Sequence, residues 1–377
     1  MSHPRLIHLD CVDKLRDAAP LWDDLWRRSD VTSPLSRAEM VAQWLEQFSS
    51  HGDFHGLVIE HRGQWVAAIP LVSRLRQRLF NTGGLTANEW SVSGDLLLDA
   101  HSTSDAALDK LVSAMRDISW QMLWFNEVPL DTTRWMALRQ ATDRATPSSD
   151  YHANMQVGLI EIGNDWEAYR RGLSKKHRNK MSRCGRRLAE RGDVRMELFS
   201  RPQPQRIEPL LRKAFEVEDL GWKGQIGTSV LRTAGMFEFF VRQAEQLAGW
   251  GQLELALLYC GERPVAFSYG YAAKGVSHWH KIGYDPQYDN CTPGQLLQYQ
   301  LIEKYHGDAD CQAVNTMGPL TDALAKWDPT AYTLGRLMIA PRRKLARFMV
   351  YACKRWVPYL RRLRGGVATG GTKRGRG

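Results

Sequence analysis

The side chains with the widest chemical reach stand close together late in the chain, as His278, His280, Tyr284 and Asp285. Imidazole, phenol and carboxylate are proton-transfer groups, and residues two apart on a strand point the same way, which places His278, His280 and Tyr284 on one face. His-x-His on a strand also suits a metal ion, but no third ligand is fixed by spacing, and no metal is expected. Shortly after comes Thr292-Pro293-Gly294-Gln295. Thr is a good N-cap, Pro fits the first helical position, and Gln three residues on completes a capping box. A helix amino terminus offers free N–H groups and the positive end of the macrodipole, and Gly294 allows close approach to the backbone, so a phosphate or pyrophosphate is favoured there. The same residues also suit a plain packing helix, the commoner use of that pattern, and the histidines suit satisfied positions in a sheet.

These residues need a hairpin and a helix to hold them. Residues 264–271 and 276–284 are rich in aromatic and β-branched side chains, and Ala273-Lys274-Gly275 supplies a short turn between antiparallel strands. Asp285-Pro286 ends the second strand, and Leu297, Leu301 and Tyr305 recur on one side of the helix that follows. Upstream, residues 253–259, Gly261 to Pro264 and Val265-Ala266-Phe267 echo residues 57–60, Arg62 to Gln64 and Val66-Ala67-Ala68. With helical patterns before and after both hairpins, the echo indicates two tandem copies of one α/β unit. Helices are expected over 10–50, 104–118, 207–218 and 230–248, a buried strand over 120–128, and a last strand over 311–317 closed by Gly318-Pro319. Residues 132–156 read as irregular, with a boundary at the turn-rich stretch 145–150.

Charge separates the body from its tail. The 377 residues carry a formal charge of +10, yet residues 337–377 hold twelve Lys and Arg and no acid, so the remainder is slightly acidic. A second basic run, 173–191, places Leu173, His177, Met181, Cys184 and Leu188 at helical spacing and leaves a surface dense in Lys and Arg, which fits a phosphate-bearing partner. Leu345, Phe348, Met349, Ala352, Trp356 and Leu363 fall near one side of a basic helix suited either to an anionic membrane surface or to its own domain. The start of the chain has no apolar leader, no long apolar run follows, and the six cysteines form no C-x-x-C pair. A cytoplasmic protein, peripheral to the inner face of the membrane through its tail, is the expectation.

Ser174 to Lys180 with the Arg-rich helix behind it, Glu218…Gly221-Trp222-Lys223, Gly261 to Ala266, Gly283-Tyr284-Asp285-Pro286 and Thr292 to Leu296 together resemble GNAT-superfamily acyltransferases of the cellulose-biosynthesis (CelD-like) type, and more distantly the Fem peptidyltransferases. The resemblance implies an α/β (α+β) fold of two tandem GNAT-like mixed-sheet units with flanking helices and a basic C-terminal helix. Residues 1–150 form a degenerate N-terminal unit, 151–335 the acyltransferase unit, 336–364 the basic amphipathic helix and 365–377 a disordered tail. It implies transfer of an acyl group, acetyl or another, from coenzyme A to an amine, carried by a small molecule or sugar of envelope or exopolysaccharide synthesis. In that scheme Thr292, Pro293, Gly294 and Gln295 bind the acetyl-CoA or other acyl-CoA. His280 or Asp285 acts as base and Tyr284 as acid, while Glu218, Trp222, Lys223 and His278 line the acceptor site. Two other functions stay open: a tRNA-dependent Fem-like transferase, suggested by the basic helix, and a non-catalytic scaffold for polysaccharide synthesis at the membrane.

Overall fold

The computed structural model describes residues 3–49, 54–76, 80–145 and 149–340. The first unit contains β1 (Arg5–Leu9), α1 (Val12–Asp17), α2 (Ala19–Arg28), α3 (Ala38–Phe48), β2 (Phe54–His61), β3 (Gln64–Arg76), β4 (Phe80–Leu85), β5 (Leu97–Leu98), α4 (Asp105–Asp117), β6 (Met122–Pro129) and α5 (Thr133–Ala145). After β7 (Ser149–Glu161) the second unit follows with α6 (Trp166–Gly172), α7 (Lys175–Ala189), β8 (Val194–Phe199), α8 (Pro204–Leu220), α9 (Trp222–Gln225), α10 (Met236–Gly249), β9 (Leu253–Cys260), β10 (Arg263–Ala273), β11 (Val276–Tyr284), α11 (Pro293–His306), β12 (Ala313–Pro319) and β13 (Thr330–Ile339). The plan repeats, as the echoed hairpins imply. Both hairpins close through two residues at positive φ, Arg62-Gly63 at 54° and 79° and Lys274-Gly275 at 51° and 78°. That is the turn whose twist matches the flanking strands.

The strands join in one mixed sheet of order β1-β2-β3-β4-β6-β13-β7-β12-β11-β10-β9-β8, with β5 beside β3. In each unit two parallel strands meet only briefly: Thr82 and Gly83 of β4 pair with Met122 and Leu123 of β6, and Val276 to His278 of β11 pair with Ala313 to Asn315 of β12. The second strand of each pair then breaks register two residues before its proline, at Glu127 (φ 53°) and Met317 (φ 58°). Such matched irregularities at matched places identify the units as copies of one design. Each face of the sheet is covered by helices. Leu108, Leu111, Trp135 and Leu138 of α4 and α5 pack on one side of the first unit and Trp22, Leu25, Val41 and Leu45 of α2 and α3 on the other. In the second unit Phe215, Phe239 and Phe240 of α8 and α10 cover one face, and Met181, Leu188, Leu297 and Leu301 of α7 and α11 the other.

Three expectations change. Residues 132–156 are not irregular but form α5 and most of β7. The β7 sequence runs Ser-Asp-Tyr-His-Ala-Asn-Met-Gln with most of its first half exposed, so no apolar alternation announces it; pairing with β13 along one edge and β12 along the other holds it. The strand ending at Pro319 is not the last, because β13 follows, and residues 336–339, expected to open the basic helix, complete it. The helix expected from Val230 begins at Met236, because the Val230 N–H goes to Glu218 Oε2 at 2.9 Å and Gly235 adopts φ 75° just before it. The tail from 341 on lies outside the described residues. Among the described residues, no helix is long and apolar enough to cross a membrane.

The units are tied directly. Lys274, in the β10–β11 turn, donates its ammonium to the carbonyls of Trp26, Ser29 and Val31, thereby capping α2 of the other unit. Arg37 lies 3.4 Å from the centre of the Trp250 ring and reaches Gln252, while Gln243 donates to Ser91.

Candidate active site between the two units

The site begins with a bulge. Across β10 and β11, Tyr269 faces Lys281 and Gly270 faces Trp279, leaving His280 as the extra residue. Only glycine fits opposite it, since a Cβ on Gly270 would lie 2.2 Å from the His278 carbonyl oxygen. The inserted residue resets the alternation. His278, His280 and Lys281 all turn toward the first unit, whereas Trp279 and Ile282 pack with α11 residues in the opposite core. Tyr284, expected on the histidine face, therefore stands on the other side of the sheet beside Gly294, with its hydroxyl donating to Asp289 at 3.0 Å. Strand periodicity alone cannot foresee a one-residue insertion.

His278 is 3% exposed, stacks on Tyr271 at 5.3 Å, and shares a hydrogen bond of 3.2 Å between Nε2 and Thr32 Oγ1; its Nδ1 has no partner. Burial pushes its pKa down to about 4. His280 Nε2 bonds the Trp90 carbonyl at 2.9 Å, and burial, reinforced by the Lys281 charge, lowers it to about 3. Lys281 was not singled out by sequence. The bulge brings it over Trp90 and Phe240, 5.0 and 5.1 Å from the ring centres, with Glu218 Oε1 at 3.8 Å. Burial lowers its pKa to about 8. Glu218 itself is buried and holds Lys223 at 2.7 Å, while Trp222 projects into solvent at the edge of this cluster.

On the other side of the sheet, Asp285 caps the turn over 286–291 by accepting from Gln287 N and pairs with Arg263 at 2.6 Å. Its carboxylate is thus held in the turn, 1% exposed. The capping box does not form. Thr292 adopts φ 46°, ψ 55°, its hydroxyl has no partner, and the Gln295 side chain instead accepts from Lys180 Nζ of α7 at 3.0 Å. A β-branched residue in that region is strained. Pro293 has no N–H, and Gln295 and Leu296 donate to the Thr292 carbonyl, so the Gly294 N–H is left without a partner in the described contacts. The buried stripe of α7 is the expected one, His177, Met181, Cys184 and Leu188. It turns Lys180 to the start of α11 and leaves Lys175, Lys176, Arg183, Arg186 and Arg187 exposed.

A cavity of about 390 Å³ opens between the units, lined on one side by His278, Asn315 and Tyr332 and on the other by Asp30, Glu127 and Arg134. It lies where β11 and β12 cease to pair. The first-unit residues at its wall were not visible as a group in the sequence, because they come from three separate segments. Among the described residues no group of three or more His, Cys, Asp or Glu is placed to hold a metal ion.

Residues 175–321 match the family model described as an acetyltransferase (GNAT) domain. No curated protein sequence matches the chain. Among solved structures, FemX aligns with TM-score 0.60 at 10% identity, covering 92% of this chain and all of its own. The C-terminal domain of a protein described as a lysylphosphatidylglycerol synthetase from Agrobacterium fabrum aligns with TM-score 0.54 at 12% identity over 90% of this chain and 96% of that one. A protein of unknown function from Bacteroides thetaiotaomicron gives 0.52 at 13% identity, over 89% and 99%. At such identities these likenesses speak to fold. The chain is a mixed α/β protein of two units of one design, and the match of residues 175–321 to a GNAT acetyltransferase domain supports an acyltransferase in general terms.

Proposed function

We propose that the chain transfers an acyl group from coenzyme A to an amine, with the donor on the α11 side of β11 and the acceptor in the cavity between the units. The observation that carries this reading is the start of α11: the Gly294 N–H has no partner among the described contacts, and the Lys180 ammonium is held in the first turn by Gln295, after a strand that has parted from its parallel neighbour. Donors and positive charge at a helix start suit a pyrophosphate. Acyl-CoA would supply the activated thioester there.

Tyr284 keeps its proton at neutral pH, because burial and its bond to Asp289 raise its pKa, and in this reading it gives that proton to the leaving group on the α11 side. His278 offers an acceptor atom to the amine. Neither His278 nor His280 is basic enough to hold an ammonium's proton at neutral pH, so the pH dependence of acylation follows the amine's own ionisation. Acceptors of envelope or exopolysaccharide synthesis that carry a free amine fall within this class. Titration calorimetry with acetyl-CoA and with free CoA tests the donor site; absence of binding by both defeats it.

The exposed cations of α7 favour a second reading, an aminoacyl-tRNA as donor. Steeply salt-dependent tRNA binding, lost on replacing Lys175, Lys176 and Arg183 with Gln, supports it, and salt-insensitive or absent binding removes it.

A further inference from the structure

The ionic groups around the cavity are unequally occupied. Arg134, 8% exposed, places Nη2 at 2.8 Å from Asp95 and Nη1 at 3.1 Å from Asp30, so its charge is matched on both sides. Asp95 also accepts from Trp135 Nε1 and Leu96 N, which engages its oxygens within the protein. Asp30, in contrast, meets Arg134 through one oxygen and is 41% exposed, and Glu127 is exposed with no partner among the described contacts. Lys274, the other cation near Asp30, directs its ammonium at three carbonyls of α2 and the segment after it. The lining therefore sets three carboxylates against one guanidinium, and the unmatched capacity is anionic. A second feature points the same way: His278 lines the cavity, is almost fully buried, and has an Nδ1 with no partner among the described residues. With Nε2 donating to Thr32, Nδ1 keeps its lone pair and accepts from an N–H.

We infer that the cavity binds a small cationic amine without phosphate, its ammonium held by Asp30 and Glu127 and an N–H accepted by His278 Nδ1, so that the first unit selects the acceptor by charge. This deepens the acyl-transfer reading and rests on it only for the fate of the amine. A volume of about 390 Å³ is at the low end for small-molecule sites and suits an alkyl diamine or a single amino sugar. An anionic acceptor would meet Asp30 and Glu127 with like charge and find no free cation among the described lining residues to offset the loss of its hydration.

Titration calorimetry on the full chain with cadaverine, glucosamine and a hexosamine phosphate tests this. Cadaverine and glucosamine should bind at least about tenfold more tightly than the phosphate. Asp30→Asn and Glu127→Gln should each weaken cadaverine roughly tenfold and leave acetyl-CoA binding unchanged. Because Asp30→Asn also disturbs Arg134, Glu127→Gln serves as the independent variant. Equal or tighter binding of the phosphate, or cadaverine binding unchanged in both variants, overturns the inference. Amine binding that depends on Glu127 in a protein that binds no acetyl-CoA upholds the amine site and sinks the transferase reading instead.

Discussion

The two units share a plan and differ at one helix start. In the second, α11 opens without a side-chain cap and without an acid in its first turn, and Lys180 stands beside it. In the first, the corresponding α4 is capped by Ser104, which accepts from Ala107 N, and carries Asp105 in its first turn. A carboxylate there neutralises the macrodipole that an anion would use. The preceding segments differ as well. The one after β11 is a compact turn over 286–291, whereas the one after β4 is long and lends Trp90 and Ser91 to the second unit, where they meet His280, Lys281 and Gln243. One copy has kept a helix end suited to a phosphate, and the other has closed that end and become the wall of a neighbouring cavity.

The sharpest way to break this contrast is to make α11 resemble α4. Gly294→Asp fits sterically, since a Cβ at Gly294 meets Tyr284 only at 3.5 Å. It should lower acetyl-CoA affinity about a hundredfold by calorimetry and leave folding stability unchanged or higher by about 0.3–1 kcal/mol. Loosening the contact between the copies comes next. Lys274→Ala removes the shared cap from α2 and should cost roughly 1–2 kcal/mol in denaturant unfolding, with acetyl-CoA affinity retained in the folded protein. Lys180→Ala should weaken acetyl-CoA about tenfold without a change in melting temperature, because its described partner is Gln295 alone. Opening α4 in the opposite sense, Ser104→Ala should cost about 1 kcal/mol of stability and leave donor binding untouched.

The smallest effect is a proton count. His177, His278 and His280, all in the second unit, are held by burial at about 4, about 4 and about 3. The unfolded chain binds their protons first, so the stability they contribute is complete above about pH 6.5 and is lost as pH falls toward 4. His278→Gln should reduce the steepness of that loss by up to one proton in unfolding measured across the range. An unchanged slope would mean that His278 is not neutral in the folded state.

Sequence carried the architecture further than the site. The hairpin at Lys274-Gly275, the buried stripe of α7 and the repeat of the two halves follow from turn chemistry and periodicity, which are local properties. The polar β7 escaped notice because its stability lies in neighbours distant in sequence. The side reached by Tyr284 was misjudged because a single inserted residue, His280, reverses every position beyond it. Thr292 and Gln295 match a capping box by type, yet the strained Thr292 backbone and Lys180 assign them elsewhere. Asp30, Glu127 and Arg134 meet only through the approach of three segments, which no spacing rule encodes.

The closing of β6 by β13 has a consequence for biosynthesis. The edge of β6 is closed by β13, which lies some two hundred residues further along, so the first half leaves the ribosome with an open hydrogen-bonding edge that its own sequence cannot close. Completion of that half waits for β13 to be translated, and until then the edge is free to pair with another chain. A fragment cut near residue 150 would keep that edge open, exposing in mid-sheet a pairing site that the whole chain covers.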